Sequence, residues 1–301
     1  MHFSTHRISV SLLLLSAAAT WFSGCEEEPP AIDFSVPPKD TTYMSVVTPA
    51  TQLRNVLLED FTGVQCPNCP DAQTVAKNLQ DANPGRIVVV GIHPAPPLME
   101  NLCRPLNEPP DHVSKYDFRT EDGKNIANLI GTLQGLPSGA INRTISSGND
   151  RFYLPASTWS GSVNNQLAAG SPCKIEFIKK EYDSTRHKLT VRVKVTYYGT
   201  EPDSNYLSVG LTESHIVDIQ ETKNTAFILD YEHNHVLRKM ITSYQGGLLN
   251  ASRVAGRVFE REFTTKLSSD WIPENMHIYA YVHKDAVKLD VIQVEETELL
   301  P

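Results

Sequence analysis

Residues 56–70 read VLLEDFTGVQCPNCP. An apolar run of strand length carries two acids near its end, and two cysteines three residues apart follow it. From Pro67 to Leu79, the segment PNCPDAQTVAKNL places Ala72, Val75, Ala76 and Leu79 at helical spacing. The order strand, cysteine pair, helix decides how this half of the chain folds. Cys66 is expected at the amino end of the helix with Pro67 in its first position, where proline forfeits no hydrogen bond. The unpaired N–H groups and the positive dipole end there favour a thiolate on Cys66. Cys69 lies one turn on, on the same face and within bridging reach. Cys66 is then the attacking sulfur and Cys69 the resolving one. Asp60, inside the apolar run, is expected beneath the pair, placed to take the Cys69 proton. Glu59 points to the other face and is expected in solvent.

Two other readings of the pair remain open at this point. Zinc could be held by Cys66 and Cys69 with Cys103 and either His112 or His93, although no second pair stands at the usual ligand spacing. The pair could also be a disulfide clip with no turnover.

The compartment bears on that choice. Arg7 precedes the apolar segment ISVSLLLLSAAATWF, which has the length of a signal-peptide core and is short for a membrane span. It ends in Phe22-Ser23-Gly24-Cys25, which resembles the lipobox of bacterial lipoproteins, with Phe22 where leucine is usual. Cys25 is the expected lipidation site. The acidic residues that follow resemble the surface-export signal of Bacteroidota lipoproteins. Residues 25–50 are rich in acid, proline and threonine and lack periodicity, as a flexible tether does. Removing residues 1–24 leaves 26 basic against 35 acidic side chains, a net charge of −9. That balance argues against nucleic acid as a partner, because phosphate binding needs a basic face. An exported compartment is oxidising and permits disulfides. Four cysteines remain besides Cys25, and Cys103 is expected to bond Cys173 or to be left, like it, a buried thiol.

Beyond the first helix, Arg86–His93 is a second, continuously apolar strand of the kind found in parallel sheets. His93 ends it, either as a polar strand end before Pro94 or as a proton handler near Cys66. A proline-rich insertion runs from Pro94 to Phe118. TEDGKNIANLIGTLQG is a helix, GLPSGAINRTI a third strand introduced by Pro137, RFYL a fourth, and PASTWSGSVNNQLA a closing helix. This order predicts a mixed sheet with helices on both faces over residues 51–170. Over 171–301 the texture changes to seven mostly alternating runs with turn-rich connections and no helix. These predict an antiparallel β-sandwich of immunoglobulin or fibronectin type III kind. His233 and His235, two apart on one presumed strand, read as surface or hydrogen-bonded histidines rather than metal ligands.

VLLEDFTGVQCPNCP, VVVGIHP and GLPSGAINR, in this order, resemble a thioredoxin fold. With LDYEHNHVLRKM (Leu229–Met240) and the leader, the whole chain is similar to the Bacteroidota family related to the 28-kilodalton outer-membrane protein. The resemblance implies Cys66 and Cys69 as the redox pair, Asp60 as the buried acid and Pro137 as a cis-proline bordering the sulfurs. Gln65 replaces the tryptophan that precedes the first cysteine in thioredoxins, which sets this chain apart from general reductases. The family implies a lipid-anchored surface protein of the outer membrane, held to it through the amino-terminal lipid alone. The expected chemistry is thiol–disulfide exchange with protein thiols or disulfides, without a bound cofactor or metal. The competing expectation is a non-enzymatic surface binding or adhesion protein that uses the same fold as a scaffold for a protein ligand.

Overall fold

A computed structural model describes residues 40–146, 148, 150–285 and 287–300. The leader, Cys25 and the tether up to residue 39 lie outside the described residues. After an edge strand β1 (Thr41–Met44), the opening run forms β2 (Val56–Phe61), buried along its whole length. There follow α1 (Cys69–Ala82), β3 (Ile87–Ile92), the single turn α2 (Glu100–Cys103), α3 (Glu121–Ile130), β4 (Ser138–Ile141) and α4 (Trp159–Ala168).

β2 and β3 run parallel, with Val56 opposite Ile87, and β4 lies antiparallel on the other side of β2, with Gly139 opposite Asp60. Both faces of this sheet are covered, which is why its strands are apolar without alternation. Ala72, Ala76 and Leu79 of α1 and Trp159 and Val163 of α4 pack on Val56 and Leu58. On the opposite face, Ile126, Ala127 and Ile130 of α3 pack on Leu57 and Phe61. By strand alternation Asp60 therefore faces the α1 side and Glu59 the α3 side. The segment RFYL contributes only a bridge between Tyr153 and Gly139. Pro155, directly after it, has no N–H to extend a ladder.

All seven runs after residue 171 form strands: β5 (Cys173–Asp183), β6 (Lys188–Tyr197), β7 (Asn205–Glu213), then, past a hairpin, β10 (Val236–Met240), β11 (Arg257–Lys266), β12 (Met276–Lys284) and β13 (Val291–Glu298). The hairpin, β8 (Ile216–Thr222) with β9 (Ala226–His233), was not foreseen. The two textures share one sheet, in the order β13-β12-β7-β10-β3-β2-β4. The join is β10 alongside β3, where the Gly91 N–H donates to the His235 carbonyl at 2.7 Å. A second sheet, β1-β11-β6-β5, stacks on the β7–β12 end, with Val193, Val195 and Phe259 against Val209, Leu211 and Ile278. The result is mostly β, with stacked, sandwich-like sheets and few helices. The change of texture near residue 170 is not a break between bodies, since the described residues form one compact unit. Composition marks where alternation starts. It does not say which strand edge will be paired, and β3 left without β10 would present an open edge.

Candidate functional site

Cys66 and Cys69 are joined as a disulfide and are 1% and 0% exposed. α1 begins at Cys69, with Asn68 as its cap residue and Pro70 in its first turn. Cys66 thus stands in the turn before the helix, not at its tip with Pro67 as the first helical residue. The Cys69 N–H donates to the Cys66 carbonyl at 3.1 Å, closing that turn and delaying the helix. The Leu136–Pro137 peptide is cis, and the adjoining Ser138 pairs with Phe61 at the cysteine end of β2.

Asp60 is buried on the α1 face, and its Oδ1 has no hydrogen-bond partner among the described residues. Burial pushes its carboxyl up to about 7. Glu59 is not in solvent. It is buried and accepts from Arg143 Nε at 2.9 Å and Nη2 at 2.6 Å. The face that carries Glu59 is packed by α3 and by residues of the shared sheet, and Tyr281 accepts from the same guanidinium.

His93 is also buried, with neither ring nitrogen bonded among the described residues. Burial, with His233 and Arg238 nearby, drives it down to about 3. Its ring lies 5.2 Å from Phe118 and 6.5 Å from His233. His233, against Phe118 and Tyr231, is likewise buried and unbonded, and burial lowers it to about 4. It is not a surface histidine. His235 follows in a turn with φ 56° and neighbours His277 and His215 instead, so the two do not share a face.

The Cys103–Cys173 bond does not exist: both are free, buried thiols. Cys103 ends α2 and points its sulfur at the Thr62 carbonyl, 3.4 Å away. Cys173 lies in the core between the stacked sheets beside Ser171. An even number of cysteines counts thiols and says nothing of their distance. Cys66 and Cys69 are bonded to each other, and among the described residues no three His, Cys, Asp or Glu side chains gather as metal ligands.

The insertion and the hairpin enclose the pair. Gln65 N–H donates to the Leu102 carbonyl at 2.9 Å, and a side chain on Gly63 would meet that carbonyl at 2.3 Å. Glu221 N–H donates to the Val64 carbonyl at 2.8 Å. Gln220 Nε2 donates to the carbonyls of Gly63 at 3.2 Å and Cys66 at 3.3 Å. Gln220, Asp218 and Tyr231 were missed in the sequence. The available signal was polar residues at 218 and 220 within an otherwise strand-like run.

The family profile described as outer membrane protein Omp28 matches residues 126–300. The chain belongs to the Omp28 family. The matched stretch of this Omp28 protein includes Arg143 and the hairpin but stops short of the cysteine pair. As a family member it is an outer membrane protein, and no helix among its described residues is long and apolar enough to cross a membrane. No curated protein matches it. Among solved structures it is similar to HBP35 of Porphyromonas gingivalis, at 15% identity and a TM-score of 0.63, covering 83% of this chain and 76% of that one. A protein of Agrobacterium tumefaciens aligns at 9% identity over 82% of this chain and 95% of its own, with a TM-score of 0.48. The HBP35 likeness shows a shared fold and no more.

Proposed function

We propose that this Omp28-family protein is a lipoprotein, anchored through Cys25 and displayed at the cell surface, with a thiol–disulfide exchange centre at Cys66 and Cys69. We read the first half of the chain as thioredoxin-like and the stacked strands as immunoglobulin- or fibronectin-III-like. The observation that carries the redox reading is the closed Cys66–Cys69 bond at the start of α1, the helix that packs on the face of β2 where Asp60 lies buried, its Oδ1 without a partner among the described residues and its carboxyl raised to about 7.

In the reduced pair, Cys66, in the turn that leads into α1, is the attacking thiolate. It attacks a partner disulfide: a Cys66–partner bond forms as the partner S–S bond breaks and one partner thiolate leaves. Asp60 accepts the Cys69 proton, Cys69 attacks the Cys66 sulfur, and the second partner thiolate departs. Two electrons pass to the partner, and the two protons of the pair follow to its thiolates. Run backwards, the same steps let the disulfide seen here oxidise a partner dithiol. No cofactor is needed.

The burial of both sulfurs favours a second reading, an inert clip in a binding or adhesion scaffold. Exchange with a peptide disulfide, insulin reduction and the potential of the pair, each with a Cys66→Ser control, separate the two. A pair that equilibrates with neither glutathione nor peptide disulfides ends the redox reading. Metabolic labelling with a fatty acid, lost in Cys25→Ser, tests the anchor.

A further inference from the structure

Between Ile216 and His233 the chain leaves the stacked sheets, crosses to the cysteine pair and returns. Among the described residues, β8 and β9 pair with each other and with no other strand. Their place is fixed by contacts to the cysteine loop, the first turns of α1 and the proline-rich insertion. Glu221 and Gln220 bind the carbonyls of Val64, Gly63 and Cys66. Lys223 pairs with Asp71, and the Tyr231 hydroxyl donates to Gln73, both on α1. Asp218 accepts the N–H groups of Lys115 and Tyr116 at 3.0 Å, and Phe227 stacks on His112 at 4.1 Å.

We infer that the β8–β9 hairpin is a tethered cover over the Cys66–Cys69 disulfide, and that the pair meets its partner only when the hairpin lifts as a unit. The inference rests on the redox reading for its purpose, though not for its geometry. Three features support local opening. The hairpin shares no ladder with the main sheets, so lifting breaks none of their strand pairings. Its outward face is open, with Val217, Ile228 and Leu229 each at least 40% exposed. Its grip on the site is one backbone bond, a set of side-chain bonds and the packing of Ile216 and His233 on Val64 and Phe118, a small local contact of the kind that opens below the global unfolding energy. Lifting bares the carbonyls of Gly63, Val64 and Cys66, and the backbone N–H groups of an extended partner segment can satisfy them in turn.

Cys173, in the core of the stacked sheets, is a built-in reporter of global unfolding. The full mature chain is treated with a water-soluble phosphine, which breaks the S–S bond, gives two electrons to the sulfurs and takes oxygen from water. Released thiols are trapped by alkylation and assigned by peptide mass. In the wild type, Cys66 and Cys69 are expected to label well before Cys173. Gln220→Ala with Tyr231→Phe is expected to speed labelling of the pair by about tenfold or more, three hydrogen bonds to neighbouring groups being lost, with Cys173 still protected. Wild-type labelling of all three cysteines at one rate overturns the cover, whatever the variant does. So does a folded variant whose pair reacts at the wild-type rate. If the pair opens as expected yet exchanges with no peptide disulfide, the cover stands and the redox reading falls.

Discussion

Arg143 grips Glu59 through two hydrogen bonds, 2.9 Å from Nε and 2.6 Å from Nη2, with both side chains closed to solvent. The same guanidinium donates to the Tyr281 hydroxyl at 2.8 Å and sits 4.9 Å from the centre of that ring. Glu59 belongs to β2, Arg143 follows β4, and Tyr281 belongs to β12. The contact therefore ties the two textures of the chain together, joining β2 and β4 at one end of the shared sheet to β12 near the other. Breaking a buried pair strands one charge, at a cost of roughly 3–5 kcal/mol. Glu59→Gln or Arg143→Met is expected to lose about that much in urea unfolding, and Glu59→Leu with Arg143→Met to regain most of it. Unfolding should remain a single transition, because no boundary at residue 170 separates the strands. Single variants that lose under about 1 kcal/mol would show the pair to be incidental.

Asp60 links stability to pH. Its ordinary value is 3.8, and in the fold it sits at about 7. Between those values the folded chain holds a proton that the unfolded chain has released. Stability from this group is therefore complete at low pH and declines as pH rises through that window, by roughly 4 kcal/mol at most above it. Asp60→Asn should be more stable than the wild type at pH 8 and show no such gain at pH 4, measured by urea midpoints. The same variant should slow closure of the mixed disulfide by roughly 10²-fold, as loss of a proton acceptor does. A stability gain of equal size at both pH values would point to packing rather than to the carboxyl.

Acid should loosen the hairpin. His93 on the sheet side and His233 at the end of β9 face each other in an apolar pocket with Phe118 and Tyr231. Arg238, Asp117 and Asp218 are the charged groups that act on them. Both imidazoles lie at about 3 and about 4 when covered and near 6.5 when wet. Opening therefore takes up a proton at each between roughly pH 6.5 and 4. Asp60 opposes this with one proton wherever opening wets it, since it is already protonated below about 7. The net uptake is one or two protons, so opening becomes about tenfold or more easier per pH unit on acidification. The readout is the hydrogen-exchange protection of the Glu221 amide, which bonds Val64 when closed. Protection that stays flat or rises from pH 6.5 to 4 contradicts the histidine contact.

Much of this was readable in advance, for identifiable reasons. The strands after residue 171 follow a period of two, and the cysteine pair follows a run too apolar to be anything but buried. The burial of Asp60 followed from its place inside that run. The burial of Glu59 did not, because alternation assigns a face and cannot say that another part of the chain will cover it. Its cover includes Tyr281, more than two hundred residues away. The hairpin hid for a different reason. Asp218 and Gln220 are polar yet point inward, while Ile228 and Leu229 are apolar yet exposed, so β8 and β9 do not alternate as a half-buried hairpin should. Their environment is a polar loop around a disulfide, which rewards donors and acceptors. The start of α1 shifted because a turn closed by Cys66 uses the first residues of the pattern, and terminal assignments are the softest part of any helix.

Cys103 and Cys173 supply the plainest chemical check. Burial pushes both thiols up to about 12, and the thiolate is the reacting form. At pH 8 about one in 10⁴ is ionised, and the sulfurs are covered besides. With Cys25 replaced by serine, iodoacetamide should therefore label no cysteine of the folded protein. In urea without reductant it should label two, Cys103 and Cys173, and after reduction all four. The two steps also order the cores: Cys103 sits under the insertion beside the hairpin, Cys173 between the stacked sheets, so partial denaturation should release Cys103 first. A peptide linking Cys103 to Cys173 in a non-reducing digest would show that oxidation had joined them after all. Release of Cys173 ahead of Cys103 would place the weakest part of the fold in the stacked sheets instead of beside the Cys66–Cys69 disulfide.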